Sequence, residues 1–136
     1  MREKTCFIDS DVFVNAFVVL DKEKNRKSRE LLGQLEQGKI SAISDYFVMA
    51  ETYHITSRFK GSEKAVEIIK KLLSLNNLDV VSVDSYAFFE ALKRNAKYQL
   101  KINDLIHFTV ALLHNASSIY SYDKDFNGLE IKRVEP

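Results

Sequence analysis

The chain has little of what breaks or staples a polypeptide. It holds four glycines and a single proline, the last residue, within 136 positions. No linker divides it, and it reads as one domain over 1–136. Cys6 is the only cysteine, which excludes an internal disulfide and a cysteine-based structural zinc site. A reducing interior, the cytoplasm, suits such a chain. Charge of one sign is lacking too. The formal net charge is +1, so no bulk positive excess announces a nucleic-acid partner, although a balanced total can hide a local patch. Apolar runs are short: the stretch from Val12 to Leu20 is interrupted by Asn15 and is too brief to span a bilayer. Met1 to Lys4 leads into strand-like sequence without a signal-peptide pattern. These absences predict a cytoplasmic protein with no membrane partner.

What is present suits an ordinary globular core. Hydrophobic residues make up 46% and charged ones 29%, too apolar for a disordered tail. Thr5 to Asp9 reads as a short strand, and an apolar run from Val12 begins a helix. Lys22 to Gly38 is a charged helix with Leu31, Leu32 and Leu35 on one side and Gly38 as its stop. Ile40 to Ser44 is a second strand. A helix from about Asp45 to Phe59 follows, capped by Ser44 or Asp45. The period of Ala65, Val66, Ile69, Leu72 and Leu73 predicts a surface helix from Ser62 to Leu75. Leu78 to Val83 is a strand, Ser85 to Leu100 a helix, and Asn103 to Asn115 a helix apolar nearly all round, hence buried. Ser118 to Tyr122 and Leu129 to Val134 close the chain as strands. This alternation predicts a three-layer α/β/α sandwich around a mainly parallel sheet of about five short strands. In such sheets ligands gather beyond the carboxyl ends of the strands, where Asp9 and Asp123 fall.

Four carboxylates stand where folding does not ask for them. Phe47, Ile55 and Phe59 recur at multiples of four, and Glu51 completes that row. A carboxylate on an inward stripe is costly unless compensated. Asp104 repeats the pattern with Phe108, Ala111 and Leu112. The plain alternatives stay open: Asp104 in the first turn of its helix, Glu51 paired with a buried cation, Asp9 and Asp123 as turn or cap residues. Convergence argues for more. Ionised carboxylates a few Å apart repel by about 4 kcal/mol per close pair at an effective dielectric near 20. Such a cluster persists by protonating or by holding a cation. All-oxygen ligands select hard ions, Mg²⁺ or Mn²⁺.

Phe7-Ile8-Asp9-Ser10-Asp11-Val12-Phe13 resembles the opening motif of the PIN-domain nucleases: an apolar strand, Asp, a small hydroxyl residue, a polar residue, then apolar residues. Ala50-Glu51-Thr52 is similar to the family's helical acid after the second strand. Asn103-Asp104-Leu105-Ile106-His107 is similar to the third acid, opening the buried helix. Ser121-Tyr122-Asp123-Lys124-Asp125-Phe126 resembles the family's late motif, and Ile131 to Pro136 its closing strand and proline. The resemblance covers essentially the whole chain. It implies cleavage of single-stranded RNA, or of structured RNA with exposed loops, dependent on Mg²⁺ or Mn²⁺. It further implies a VapC-type toxin, commonly a homodimer, paired with an antitoxin protein. Carried over, Asp9, Glu51 and Asp104 are the core metal ligands and Asp123 the fourth acid. Ser10 and Ser121 orient the acids. The sequence departs from the family at Asp11, where Asn or Ser is more usual, and at Ser121, where Thr is commoner. Asp125 belongs to the late motif without an assigned role.

Other readings compete. Asp9-Ser10-Asp11-Val12 also resembles the Asp-x-Asp motif of haloacid-dehalogenase-type phosphatases, with Asp9 as nucleophile and Asp11 as acid/base; that leaves Glu51 and Asp104 unexplained. Glu51-Thr52-Tyr53-His54 and Asp104-Leu105-Ile106-His107 are acid-x-x-His pairs of the kind di-iron bundles use, but the strand-like segments argue against an all-helical fold. A PIN-like domain that only binds a protein partner is a third reading. His107 assists behind the metal site or packs in the core, packing is expected of His54, and His114 satisfies helix-end carbonyls. Lys93, Arg94, Lys97 and Lys101 lie on one side of the helix leading towards Asp104. They form either a solvated face or a track for RNA phosphates.

Overall fold

The structure, a computed structural model, describes residues 5–136. Five strands, β1 (Thr5–Ile8), β2 (Ser41–Asp45), β3 (Leu78–Val81), β4 (Ser118–Tyr120) and β5 (Lys132–Val134), form one sheet in the order β3-β2-β1-β4-β5. Every neighbouring pair is parallel, with Phe7 opposite both Ile43 and Ile119. Parallel neighbours need crossover connections. These are α1 (Ser10–Phe17) with α2 (Lys22–Glu36), then α3 (Tyr46–Lys60) with α4 (Ser62–Leu73), then α5 (Ser85–Arg94) with α6 (Ile102–Leu113).

The hand of these crossovers builds the layers. The chain moves from β1 to β2 to β3 in one direction along the sheet, then turns back to β4. Right-handed connections therefore put α1 to α4 on one face and α5 with α6 on the other. The packing agrees: α1 lies against α2 and α3, α3 against α4, and α5 against α6. The expected α/β/α sandwich is what the chain forms. Its core joins Phe7 and Ile8 of β1 to Phe13 of α1, Leu35 of α2, Leu72 of α4 and Phe108 of α6, all fully buried or nearly so. In α6 every residue from Leu105 to Ala111 is buried, as its sequence predicts.

Two expectations are corrected. The helix expected from Ser85 to Leu100 ends at Arg94. Tertiary packing overrides local propensity there: Tyr98 sets its ring edge-on to Phe108 at 5.2 Å, and Leu100 packs against the core, so the chain must leave the helical path. In α3 the core-facing residues are Val48, Met49, Thr52 and Thr56. The row of Phe47, Ile55 and Phe59 is the partly exposed one, with Phe59 57% exposed. Glu51, a member of that row, is half-buried rather than sunk beneath an inward stripe.

The direction change between β1 and β4 leaves a crevice at the carboxyl ends of these two strands, where chain leaves on opposite faces. Asp9 follows β1 and Ser121 follows β4. Both therefore open onto that crevice.

Candidate active site

Asp9 is placed by the sheet and oriented by its neighbours. Its backbone N–H extends the ladder to Tyr120 O at 3.0 Å. Its carboxylate caps α1, Oδ1 accepting from Ser10 N–H at 2.8 Å. Oδ2 accepts from the Ser121 hydroxyl at 2.8 Å. Ser10 thus meets Asp9 through its backbone N–H, and Ser121 meets it through its hydroxyl. Burial pushes the Asp9 carboxyl above the usual range.

Ser121 is the hub of the β4 end. Its hydroxyl also lies 3.2 Å from Asp11 Oδ2 and accepts from Asp123 N–H at 3.0 Å. Asp11 Oδ2 accepts from Tyr122 N–H at 3.1 Å as well, while Asp11 Oδ1 is buried with no partner among the described residues. Burial, then the charge of Asp9, pushes Asp11 up to about 7. Asp123 caps a short 3-10 turn (Lys124–Phe126), Oδ1 accepting from Asp125 N–H at 2.9 Å. The buttress behind this loop is Arg133, which donates to Ser121 O at 3.0 Å and to Asn127 Oδ1 at 2.6 Å.

The helices supply the other acids. Asp104 stands in the first turn of α6. Burial, then the negative charges of Asp9 and Asp123, pushes its carboxyl up to about 6. Glu51, from α3, reaches His107 of α6, with Oε1 and Nε2 2.5 Å apart. The other imidazole nitrogen, Nδ1, lies 2.8 Å from Asp45 Oδ2. Burial alone would push this imidazole down, but the hydrogen bonds to Asp45 and Glu51 outweigh it and hold His107 up to about 10.

The predicted acids therefore converge at one pole as two adjoining groups. Asp9, Glu51 and His107 each offer an atom within 4.8 Å of the others, and so do Asp104, Asp123 and Asp125. Carboxylate oxygens dominate both, a donor chemistry that fits a hard divalent cation. The buried, unpartnered Asp11 oxygen beside Asp9 fits the same view, since a cation would relieve it.

The remaining predicted residues lie elsewhere. Lys93 and Arg94 pair with Glu90, and Lys97 pairs with Glu130 at 2.9 Å. These three line one shallow depression with Tyr98 and Leu112. With α5 ending at Arg94, Lys97 and Lys101 stand beyond it and not along a helix face; Lys101 instead precedes the first turn of α6. His54 is exposed, its Nε2 3.0 Å from Arg58, and not packed in the core. His114 is exposed at the end of α6. Sequence reasoning noticed Asp45 only as a helix cap. A Ser-Asp pair before a helix signals a cap, and nothing along the chain announces its second contact, to a residue 62 positions away.

The PIN domain family matches residues 6–132. The chain belongs to the PIN domain family. The PIN fold recurs in solved structures that share little sequence with it. VapC20 of Mycobacterium tuberculosis, described as a sarcin–ricin-loop cleaving toxin, superposes with a TM-score of 0.78 at 18% identity, covering 96% of this chain and 99% of that one. A toxin–antitoxin complex from Klebsiella pneumoniae gives 0.70 at 13% identity over 96% and 97%. VapBC2 of Rickettsia felis, bound to a promoter DNA fragment, gives 0.70 at 14% over 96% and 98%. No curated protein matches the chain in sequence.

Proposed function

We propose that this PIN-domain protein is a divalent-metal-dependent ribonuclease that hydrolyses phosphodiester bonds of single-stranded RNA, or of structured RNA with exposed loops. The observation that carries this reading is the meeting of Asp9, Glu51, Asp104 and Asp123 at the crevice of a parallel sheet. The likeness to VapC20, described as a toxin cleaving an RNA loop, supports RNA as the substrate. The likeness to a toxin–antitoxin complex and to VapBC2 supports the role of a toxin with an antitoxin partner. The cytoplasm is the place where such a pair meets RNA. A homodimer completes the reading, and the outer face of α5, where Tyr86 and Phe89 are 62% and 61% exposed, is apolar surface that an interface would cover.

In this reading Asp9, Glu51 and Asp104 hold Mg²⁺ or Mn²⁺ and Asp123 completes the set. The ion, when bound, lowers the pKa of water and offsets the charge of the phosphodiester. The chain's own residues do the orienting. Ser121 and the Ser10 N–H keep Asp9 in place, Asp11 ties α1 to the β4 end, and Asp125 N–H fixes Asp123. Lys93, Arg94, Lys97 and Lys101 are the candidates for contact with RNA phosphates. The phosphatase reading is disfavoured, because it gives no task to Glu51 and Asp104, whose charges bear directly on Asp9.

The test is cleavage of single-stranded RNA in Mn²⁺ and in EDTA by wild type and Asp9→Asn. Cleavage is expected from wild type with the ion alone. Undiminished cleavage by the variant, or equal cleavage in EDTA, would refute the proposal. Failure of wild type to bind Mn²⁺ or cut RNA would favour a binding-only domain.

A further inference from the structure

The Asp45–His107 pair lies beside the acid groups, fully buried, and the reading above gives it no defined task. We propose that Asp45 and His107 are positioning residues that fix Glu51, so that Glu51 offers only its second oxygen to a metal ion. The inference rests on the metal-holding role given to Glu51 above.

The contacts form a closed path. Asp45 Oδ1 accepts from Val48 N–H at 2.8 Å, which anchors it to the start of α3. Its Oδ2 holds His107 Nδ1, and His107 Nε2 holds Glu51 Oε1. The path leaves α3 at its first turn, crosses to α6, and returns to α3 at Glu51. His107 stands one helical turn after Asp104 on α6. The path therefore ties together the two helices that carry acids of the proposed metal set. Glu51 needs such a tie: its side chain is 29% exposed, and a half-exposed glutamate otherwise samples several rotamers.

The proton count agrees with the geometry. Carboxylates only accept, and a neutral imidazole donates from one nitrogen alone. Two hydrogen bonds from one ring to two carboxylates require two protons among the three groups. With both ring nitrogens engaged, the ring has no free lone pair for an ion. Glu51 Oε1 carries the hydrogen bond to the ring, whereas Oε2 has no hydrogen-bond partner among the described residues. Partners behind a metal-holding side chain commonly set its affinity in this way.

A double-mutant cycle tests this, with Mn²⁺ binding read by electron paramagnetic resonance at one pH. The proteins are wild type, His107→Gln, Glu51→Gln and the double variant, each checked for folding by circular dichroism. His107→Gln is expected to weaken Mn²⁺ binding roughly 10- to 100-fold. In the Glu51→Gln background the same change is expected to do nothing further, because His107 acts through Glu51. If His107→Gln fails to fold, Asp45→Asn, which retains a capping side chain, takes its place in the cycle. Unchanged affinity in the folded variant, or additive losses, would overturn the proposal. Nitrogen modulation in the spin-echo spectrum of Mn²⁺-loaded wild type would also overturn it, by showing His107 to be a ligand. Wild type that binds no Mn²⁺ would instead remove the metal reading itself, a result distinct from these.

Discussion

Asp104 shows how one position can be pulled two ways. The first turn of a helix favours a negative charge, yet burial and the charges of Asp9 and Asp123 push its carboxyl up to about 6, and Asp11 is pushed up to about 7. A carboxyl raised in the folded state stabilises the fold while it is protonated. Its contribution is whole below the unfolded pKa of about 4 and is lost as pH rises through the folded value. His107, raised to about 10, also contributes most at low pH, but its loss comes later, between about 6.5 and 10. In EDTA the protein is therefore expected to lose stability between pH 4 and 8. Asp104→Asn, which keeps shape and removes the charge, should flatten that decline and melt higher than wild type at pH 8. The measurement is Tm against pH for both proteins. Parallel curves would mean that Asp104 carries no strain from its neighbours.

At the scale of the element, α3 separates two kinds of apolar residue that look alike in sequence. Met49 is 4% exposed and faces the core, whereas Phe59 is 57% exposed. Met49→Ala should cost about 2–5 kcal/mol in urea unfolding, and Phe59→Ser less than about 0.5 kcal/mol. Equal losses would restore the inward row that the spacing suggests. The spacing misleads because Phe47, Glu51, Ile55 and Phe59 share one row at intervals of four, but periodicity does not say which row faces inward. The inward row of α3 includes Thr52 and Thr56, whose hydroxyls bond back to the helix at Val48 O and Thr52 O and so hide their polarity. The alternation of strands and helices was plain in the sequence because parallel strands here are short apolar runs bounded by capping residues. Asp9, Asp45 and Asp84 each open a helix in this way. The end of α5 was not, because Tyr98 and Leu100 leave the helix for partners elsewhere in the fold. The placing of Asp9, Asp104 and Asp123 was readable from strand ends and a helix start, whereas Glu51 was singled out from a row that is not the inward one, and the Asp45–His107 link depends on a tertiary contact with no local sign.

The molecule as a whole is nearly neutral, at +1, and gathers its acids at the pole proposed for RNA. A polyanion approaching such a pole needs cations nearby, and the four basic residues around the start of α6 are not equivalent. Lys93 and Arg94 share Glu90, and Lys97 is held by Glu130. Lys101 has no ion-pair partner among the described residues and stands three positions before Asp104. A lysine that must release a glutamate to meet a phosphate yields less than a free one. For single strands each phosphate contact adds about 0.7 to the slope of log K against log salt. Lys101→Ala should therefore reduce the slope by about 0.7, and Lys97→Ala by clearly less. The measurement is RNA binding across a salt series with Asp9→Asn as the parent, so that substrate survives. Equal losses from both variants would mean that the Glu130 pair does not restrain Lys97. A wild-type slope in Lys101→Ala would take this segment off the RNA path and move the search to Arg58, Lys60 and Lys124.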